Sequence, residues 1–217
     1  MPKSRIKDRK LNPRCFQSAS ITYGVKEGRL HYRSEDRRTY SYVQLIRSKY
    51  GAEAMLLEGC LGPDVTLVPI PRSAKSPDGN KEVFWPALKL CNHLVSEGLG
   101  KDVRQLVKRA VKIKKSAFCS PDERPDPDAH AKSMTLDLGA VGFIPPERIT
   151  LVDDVVTRGS TLIGATILLR QSYPDLDISS FAWSRTTSGI STDAELLEAS
   201  GPKVETIEYV DGELRRF

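Results

Sequence analysis

The chain has few of the residues and patterns that mark secreted, membrane-spanning or zinc-binding proteins. Its 217 residues include only four cysteines, at positions 15, 60, 91 and 119, and none of them forms a C-x-x-C pair. Zinc sites and disulfide frameworks need close or patterned cysteines, so we expect free thiols in a reducing compartment. No apolar run approaches the ~20 residues that span a bilayer, and none follows the basic start. We therefore predict a cytoplasmic protein without a membrane association.

Unbalanced charge is also scarce outside one segment. Residues 1–14 hold six Lys or Arg against Asp8, which equals the whole net charge of +5. The other 203 residues carry 27 cations and 27 acids. We interpret residues 1–14 as a solvated basic arm, and the alternative is an arm that contacts nucleic acid or an acidic partner. The basic pI is therefore no sign that the folded core binds nucleic acid.

The middle of the chain alternates between strand-like and helix-like segments. Short β-branched segments bounded by turn formers predict buried parallel strands at 65–70, 103–107, 148–152 and 176–183. Helical spacing between them links Phe84, Leu88, Cys91 and Val95, with Gly98 closing that helix, and recurs over 162–169. This alternation predicts an α/β fold with a parallel sheet and helices on both faces.

The two ends of the chain differ from this middle. Residues 21–24 and 30–32 suggest a hairpin around Glu27-Gly28, and 40–58 suggest a helix. Residues 204–209 and 213–217 flank Asp211-Gly212, a favourable hairpin turn. We expect the ends to form a small hood over the active edge of the sheet. The predicted units are a basic arm (1–14), a hood subdomain (15–60), a core (61–190) and a C-terminal hairpin (191–217).

The segment from Leu151 to Thr161 carries most of the functional information. An apolar strand runs into Asp153-Asp154, and a short turn containing Gly159 then opens a helix. The turn offers backbone N–H groups, hydroxyls and a helix N-terminus to an anion, at the sheet edge where ligands bind. Carboxylates repel phosphate, so the acids suit the hydroxyls of a sugar phosphate instead. The alternatives are a capped helix start and the strand-end acids of other nucleotide-binding or phosphoacceptor α/β domains.

This segment closely resembles the 5-phosphoribosyl-1-pyrophosphate (PRPP) signature of type I phosphoribosyltransferases. That signature is an apolar strand, two acidic residues, two apolar residues and a turn rich in Thr, Ser and Gly. The resemblance implies that Asp153 and Asp154 hold the ribose hydroxyls and touch Mg²⁺ only indirectly, through those hydroxyls or water. It implies a 5′-phosphate site at Thr157, Arg158, Gly159, Ser160 and Thr161. Arg158 replaces the commoner Thr or Ser, as in the amidophosphoribosyltransferase variant.

A second loop resembles the pyrophosphate site of the same family. The stretch Val68-Pro69-Ile70-Pro71 before a basic residue is similar to the ComF-like branch. The resemblance implies a pyrophosphate site at Arg72, Ser73, Ala74 and Lys75. A Pro-rich surface turn with two cations is the alternative. The cysteines that often bind zinc near the start of ComF-like proteins are absent.

Two further groups are candidates for direct chemistry. Lys108 or Arg109 is placed to reach the pyrophosphate, unless residues 108–115 are only a solvated basic run. The polar, Pro-rich residues 114–135 suggest a mobile loop. The resemblance implies that residues 124–133 are the family's lid, in which His130 donates to phosphate or serves as a base. The alternative is a structural His130 in a short helix capped by Asp126 or Asp128.

Together these features predict a PRPP- and Mg²⁺-dependent glycosyltransferase of nucleotide metabolism. It would transfer the phosphoribosyl group to a small nitrogenous acceptor and release pyrophosphate, with a homodimer as a possible assembly. The alternative is a non-catalytic PRPP-binding regulator or accessory protein, with the basic arm on nucleic acid. The acceptor has no fingerprint; Trp183 or Arg185 could meet it, although Trp183 fits a core position equally well. Pro2 stands where an amidotransferase needs its nucleophilic cysteine, which argues against that reaction.

Overall fold

A computed structural model describes residues 31–33, 39–41, 60–75, 84–114, 123–137, 139, 146–185 and 207–216. The strands are β1 (His31–Arg33), β2 (Thr39–Ser41), β3 (Thr66–Pro69), β4 (Asp102–Val103), β5 (Val107–Arg109), β6 (Met134–Leu136), β7 (Arg148–Val156), β8 (Asp177–Arg185), β9 (Ile207–Val210) and β10 (Glu213–Arg216). The helices are α1 (Pro86–Ser96), α2 (Pro127–Lys132) and α3 (Ser160–Ser172). None of these helices has the length and apolar composition needed to cross a membrane.

A four-stranded parallel sheet forms the centre, with the strand order β4-β3-β7-β8. In the central pair, Thr66 lies opposite Ile149 and Pro69 opposite Val152. The prediction of an α/β fold with a parallel sheet is confirmed. Three of the four predicted sheet strands are also confirmed, with β7 and β8 extending a few residues beyond the predicted ends.

The two faces of the sheet are covered by different helices because successive strand residues point to opposite sides. Ile149 and Leu151 of β7 belong to the buried cluster that includes Leu162 and Leu169 of α3. Val152 belongs to the second cluster, with residues of α1. Helices on both faces, as predicted, therefore follow from a strand whose successive residues from Ile149 to Val152 are all buried, including the polar Thr150.

Helix α1 is confirmed, but its buried face is rotated from the predicted one. The buried residues are Ala87, Leu90, Cys91 and Leu94, while Phe84 precedes the helix and is 40% exposed. Pro86 begins the helix, and the Trp85 indole Nε1 donates to the Ile70 carbonyl at 2.7 Å. The buried residues themselves repeat at i, i+3, i+4 and i+7, so the helical spacing also fits this face, and the predicted set was the neighbouring one. Gly98 follows the helix at a φ of 76°, which favours glycine.

The two cysteines in the described residues, Cys60 and Cys91, are free thiols, as predicted. Burial raises the pKa of both thiols, and Cys91 is completely buried on α1. Neither is a thiolate near neutral pH, so both are unreactive structural residues. Cys15 and Cys119 lie outside the described residues.

The predicted strand 103–107 is wrong in its middle. The chain leaves the parallel sheet after Val103, where the N–H of Arg104 donates to the Leu67 carbonyl at 3.0 Å. β5 then pairs antiparallel with β6, in a separate two-stranded sheet. Val107 and Met134 bury their side chains in the α3 cluster, and this packing holds the small sheet against the core.

The predicted mobile loop 114–135 is wrong over its second half, which forms α2 and the start of β6. The Asp126 carboxylate accepts from the N–H of Ala129 at 2.7 Å, and Pro127 follows at the first helical position. A capping Asp before a Pro is a strong helix start, so the capped-helix alternative is the correct one for this segment. Residues 115–122 lie outside the described residues.

The C-terminal hairpin is confirmed, with β9 paired to β10. Asp211 and Gly212 have φ angles of 52° and 82°, as a two-residue turn of this kind requires. The Tyr209 hydroxyl donates to the Asp128 carboxylate at 2.8 Å, so the hairpin contacts the start of α2.

In the N-terminal part of the chain, β1 pairs antiparallel with β2, the strand that follows it in sequence. Residues 40 and 41 are therefore strand, and the predicted helix is wrong at its first two positions. The basic arm, residues 21–24 and residues 42–59 lie outside the described residues. The division into hood and core stays a prediction.

Gly164 lets α2 pack directly on α3, and this contact yields the first prediction. A Cβ at position 164 would lie 2.6 Å from the Cβ of His130 and 2.7 Å from the Pro127 carbonyl oxygen. We expect Gly164→Ala to lower the free energy of unfolding by about 1–3 kcal/mol, because α2 must move away. Urea denaturation measures the change. Gly139→Ala is the matched control, because its Cβ would meet only Asp137 at an ordinary 3.5 Å. Equal stability of the two variants would contradict the packing described here.

Candidate functional site

The acids, the turn and α3 form one continuous feature at the carboxyl edge of the sheet. Asp153 and Asp154 lie within β7 rather than after it, since the strand continues to Val156. Gly159 has a φ of 86° and stands at the N-cap of α3, which therefore has no side-chain cap. The first N–H groups of a helix need external acceptors, so this turn can receive an anion. Thr157, Ser160 and Thr161 flank it as predicted.

The loop after β3 leaves the sheet beside these acids. Pro69 lies opposite Val152, and the N–H of Ile70 donates to the Val152 carbonyl at 2.9 Å. Parallel pairing thus brings residues 71–75 to the edge where Asp153 and Asp154 follow Val152. Within the loop, Arg72 and Lys75 are exposed and Ser73 and Ala74 are partly buried. The two predicted half-sites, about 80 residues apart in sequence, are adjacent in space.

The segment after β5 runs along the other side of this loop. The N–H of Ile113 donates to the Ser73 carbonyl at 2.9 Å. The Arg109 Nε donates to the Arg72 carbonyl at 3.1 Å. Lys112 and Lys114 are exposed nearby in sequence. The basic run therefore lies next to the predicted pyrophosphate loop.

Arg109 is buried at the junction of these segments, with 2% of its surface exposed. Besides Arg72, it donates through Nη1 to the hydroxyl of Ser133, which caps the end of α2. Burial lowers the pKa of Arg109 to about 10, and the negative charge of Asp153 opposes this shift. The guanidinium stays protonated at neutral pH, so a full positive charge is buried beside one of the two acids.

Lys108 takes the opposite direction. Along β5, Val107 and Arg109 are buried and Lys108 is exposed, as strand alternation requires. The Lys108 ammonium lies 2.6 Å from the Asp137 carboxylate. Of the two cations proposed to reach pyrophosphate, the structure brings Arg109 to the loop and turns Lys108 away from Arg109.

His130 lies in α2, not in a loop, and is 3% exposed. Its Nε2 lies 3.5 Å from the Thr161 hydroxyl, so it contacts the first turn of α3. Burial and the positive charge of Arg109 lower its pKa to about 4, against a weaker opposing effect of Asp126. A neutral imidazole offers no charge to a phosphate, and a pKa this low makes a weak base. Its Nδ1 is buried and has no hydrogen-bond partner among the described residues.

The two residues proposed for an acceptor pocket have different positions. Trp183 is partly buried and packs against the α1 cluster together with Phe181. Arg185 is the last residue of β8 and lies opposite Val156, near the turn. Trp183 therefore packs against the core, which was the alternative to a role in acceptor binding.

No three His, Cys, Asp or Glu side chains converge on a metal site within the part of the chain that the structure describes. Mg²⁺ does not need such a cluster, since it commonly binds through substrate phosphates, water and one or two carboxylates. Asp153 and Asp154 are two carboxylates at one sheet edge, and strand alternation turns them to opposite faces of β7. Their indirect role in Mg²⁺ binding stays a prediction.

Sequence reasoning missed Ser133 and Gly164. Neither has a sequence signal, because a Ser after a short helix and a Gly within a helix are both common. Their importance comes from tertiary contacts with Arg109 and with α2.

No model of a known protein family matches the chain, and no curated protein matches it closely enough to count as a relative. A functional assignment therefore depends on the residues and distances given above.

The buried charge of Arg109 predicts that the two neighbouring acids differ in their effect on stability. Asp153→Asn leaves the guanidinium without this carboxylate, so we expect the free energy of unfolding to fall by about 2–3 kcal/mol. The loss is smaller than for a fully sealed ion pair because Asp153 is partly exposed. Asp154→Asn is the matched control and should change stability by less than about 0.5 kcal/mol. Urea denaturation at pH 7 measures both, and equal values would show that Asp153 does not compensate Arg109.

The depressed pKa of His130 predicts a dependence of stability on pH. The folded protein resists protonation of this side chain down to about pH 4, whereas an unfolded histidine takes up its proton near 6.5. Between these values the unfolded state binds more protons, so stability falls as the pH is lowered. His130→Gln cannot titrate, and we expect it to lose less stability than wild type between pH 6.5 and 4. Urea denaturation across this window tests the difference, and parallel curves would refute it.

Proposed function

We propose that the chain is a PRPP-dependent phosphoribosyltransferase with the type I fold. One observation carries the proposal: a single edge of a parallel sheet presents the loop 71–75, the acids Asp153 and Asp154, and the Gly159 turn. Each of these parts suits one part of the proposed substrate. A loop with two exposed cations, a pair of carboxylates and an uncapped helix start would match pyrophosphate, ribose and 5′-phosphate respectively.

Each part of the ligand would then meet a different kind of group. The 5′-phosphate would accept from the first N–H groups of α3 and from the hydroxyls of Thr157, Ser160 and Thr161. The ribose hydroxyls would donate to the carboxylates, with Asp154 as the acid less committed to the buried Arg109. The pyrophosphate would lie along residues 72–75, where Arg72 and Lys75 supply exposed positive charge.

The reaction would break the bond between ribose C1 and a pyrophosphate oxygen and form a bond from C1 to an acceptor nitrogen, whose proton would pass to the released pyrophosphate or to water. Positive charge develops on the ribose and negative charge on the leaving pyrophosphate. Arg72 and Lys75 would stabilise the negative charge on the leaving pyrophosphate, and bound Mg²⁺ would add to that stabilisation. The acids hold the ribose in position, so neither needs to act as a general base.

Binding without turnover is the second candidate function, and two observations favour it. Lys108, one group proposed for direct chemistry, is paired with Asp137. His130, the other, is neutral and a weak base near physiological pH. A PRPP-binding regulator or accessory protein would need the loop 71–75, the acids and the Gly159 turn, but neither Lys108 nor His130.

Two measurements on the full chain separate the candidates. Calorimetry with PRPP and Mg²⁺ tests binding, and release of labelled pyrophosphate with a panel of nitrogenous bases tests transfer. Binding together with acceptor-dependent release supports the enzyme. Binding without release under any acceptor supports the regulator, and no PRPP binding at all rejects both.

Asp154→Asn gives the sharpest test of ribose recognition, because Asp153→Asn also removes the counter-charge of Arg109. We expect Asp154→Asn to weaken PRPP binding at least about tenfold, the loss that accompanies removal of a hydrogen bond to a charged group. Calorimetry measures the affinity. Asp175→Asn is the matched control, because Asp175 is exposed and lies between α3 and β8, at the opposite edge of the sheet. Unchanged affinity in Asp154→Asn would remove this acid from the ribose site.

A further inference from the structure

We infer that Arg109 is a positioning residue that orients the backbone of loop 71–75 toward a pyrophosphate without touching the ligand itself. This inference rests on the proposed function for its ligand, but the orientation of the loop can be tested separately. It also revises the expectation that Arg109 would reach the pyrophosphate directly.

The contacts of Arg109 point inward to the protein. Nε donates to the Arg72 carbonyl at 3.1 Å, and Nη1 donates to the Ser133 hydroxyl. That hydroxyl in turn donates to the His130 carbonyl at 2.7 Å, at the end of α2. With 2% of its surface exposed, the side chain has little room to approach a ligand in solvent. Arg109 therefore links loop 71–75 to the end of α2, and its side chain does not project into solvent.

A second bond extends the same effect by one residue. The Ser73 carbonyl accepts from the N–H of Ile113 at 2.9 Å. Two successive loop carbonyls, those of Arg72 and Ser73, thus point toward the 109–113 segment. In a trans peptide the C=O and the following N–H point in opposite directions. The N–H groups of Ser73 and Ala74 consequently point away from that segment.

Neighbouring N–H groups directed to one side make an anion-binding concavity. Here they lie between the exposed cations Arg72 and Lys75, on the side away from Arg109. The guanidinium would thus act on the pyrophosphate through the peptide planes that it orients. Its positive charge, compensated in part by Asp153, is too deeply buried to serve as a contact.

Arginine is required because two acceptors on different segments must be met at once. The planar guanidinium places Nε and Nη1 in a fixed fork, whereas the single ammonium of lysine cannot reproduce that geometry. Arg109→Lys keeps the positive charge beside Asp153 and removes the bridge. This substitution separates the orientation of the loop from the charge balance at the acids.

The experiment measures three affinities by calorimetry, for Mg²⁺-PRPP, pyrophosphate and ribose 5-phosphate. In Arg109→Lys we expect PRPP and pyrophosphate to bind about tenfold more weakly, as for one lost hydrogen bond to a charged group. Ribose 5-phosphate lacks the pyrophosphate and should bind as it does to wild type. The amide ¹H–¹⁵N signals of Ser73 and Ala74 should also shift in the free protein.

Arg170→Lys is the matched control. Arg170 also donates to a backbone carbonyl, that of Pro174 at 2.9 Å, but near the far end of α3. It should change neither the affinities nor the two amide signals. If Arg109→Lys shows no cooperative unfolding, Ser133→Ala replaces it, because it removes one end of the bridge and should show the same selective loss.

Each outcome has one meaning. A selective loss for PRPP and pyrophosphate supports the positioning role. Equal losses for all three ligands, or none, overturn it in favour of a purely structural arginine. If wild type binds no PRPP while the Ser73 and Ala74 signals still move, the proposed function fails and the orientation of the loop by Arg109 stands.

Discussion

Parallel pairing of β3 with β7 is the constraint on which the candidate site depends. Because Pro69 lies opposite Val152, the two strands reach the sheet edge together. The loop 71–75 and the acids at 153 and 154 are adjacent for that reason alone. A slip of the register between β3 and β7 would move the loop away from the acids. A slip by one residue, or by any odd number, would also turn the buried side chains of the strand to the opposite face. The completely buried residues Leu67, Val68, Leu151 and Val152 oppose such a slip from both faces of the sheet.

The sequence was sufficient for features that depend on local periodicity or on turn chemistry. Apolar runs ending at Pro71 and at Asp153-Asp154 marked the central strands, and Asp211-Gly212 marked the C-terminal hairpin. Gly159 is predicted in the turn before α3 because it allows a close backbone approach, and the structure adds that its φ is positive. In these places, the preference of a few neighbouring residues and the final fold agree.

Other features depended on contacts between distant segments and could not be predicted. The indole of Trp85, next to the start of α1, donates to the carbonyl of Ile70 just after β3, and no local sequence pattern indicates that contact. The sequence predicts one strand over 103–107 because these five residues of mixed polarity show no turn after Val103, where β4 ends. α2 was hidden in a Pro-rich stretch, although Asp126 and Pro127 are a recognisable helix start. The burial of Arg109 is the largest surprise, since a basic run normally indicates a solvated surface.

Arg109 and His130 show how burial, together with a neighbouring charge, sets the protonation state of a side chain. Two cations cannot both be accommodated in the small space between β5, α2 and α3. Arginine keeps its proton because its pKa, even when lowered to about 10, stays far above that of histidine. His130 is held neutral beside Thr161 first by its own burial and then by the charge of Arg109, so it can share a hydrogen bond there but add no charge. The positive charge that an anionic ligand would meet must therefore come from exposed side chains such as Arg72 and Lys75. At the proposed site, buried groups such as Arg109 would orient the backbone, and exposed side chains would supply the charge.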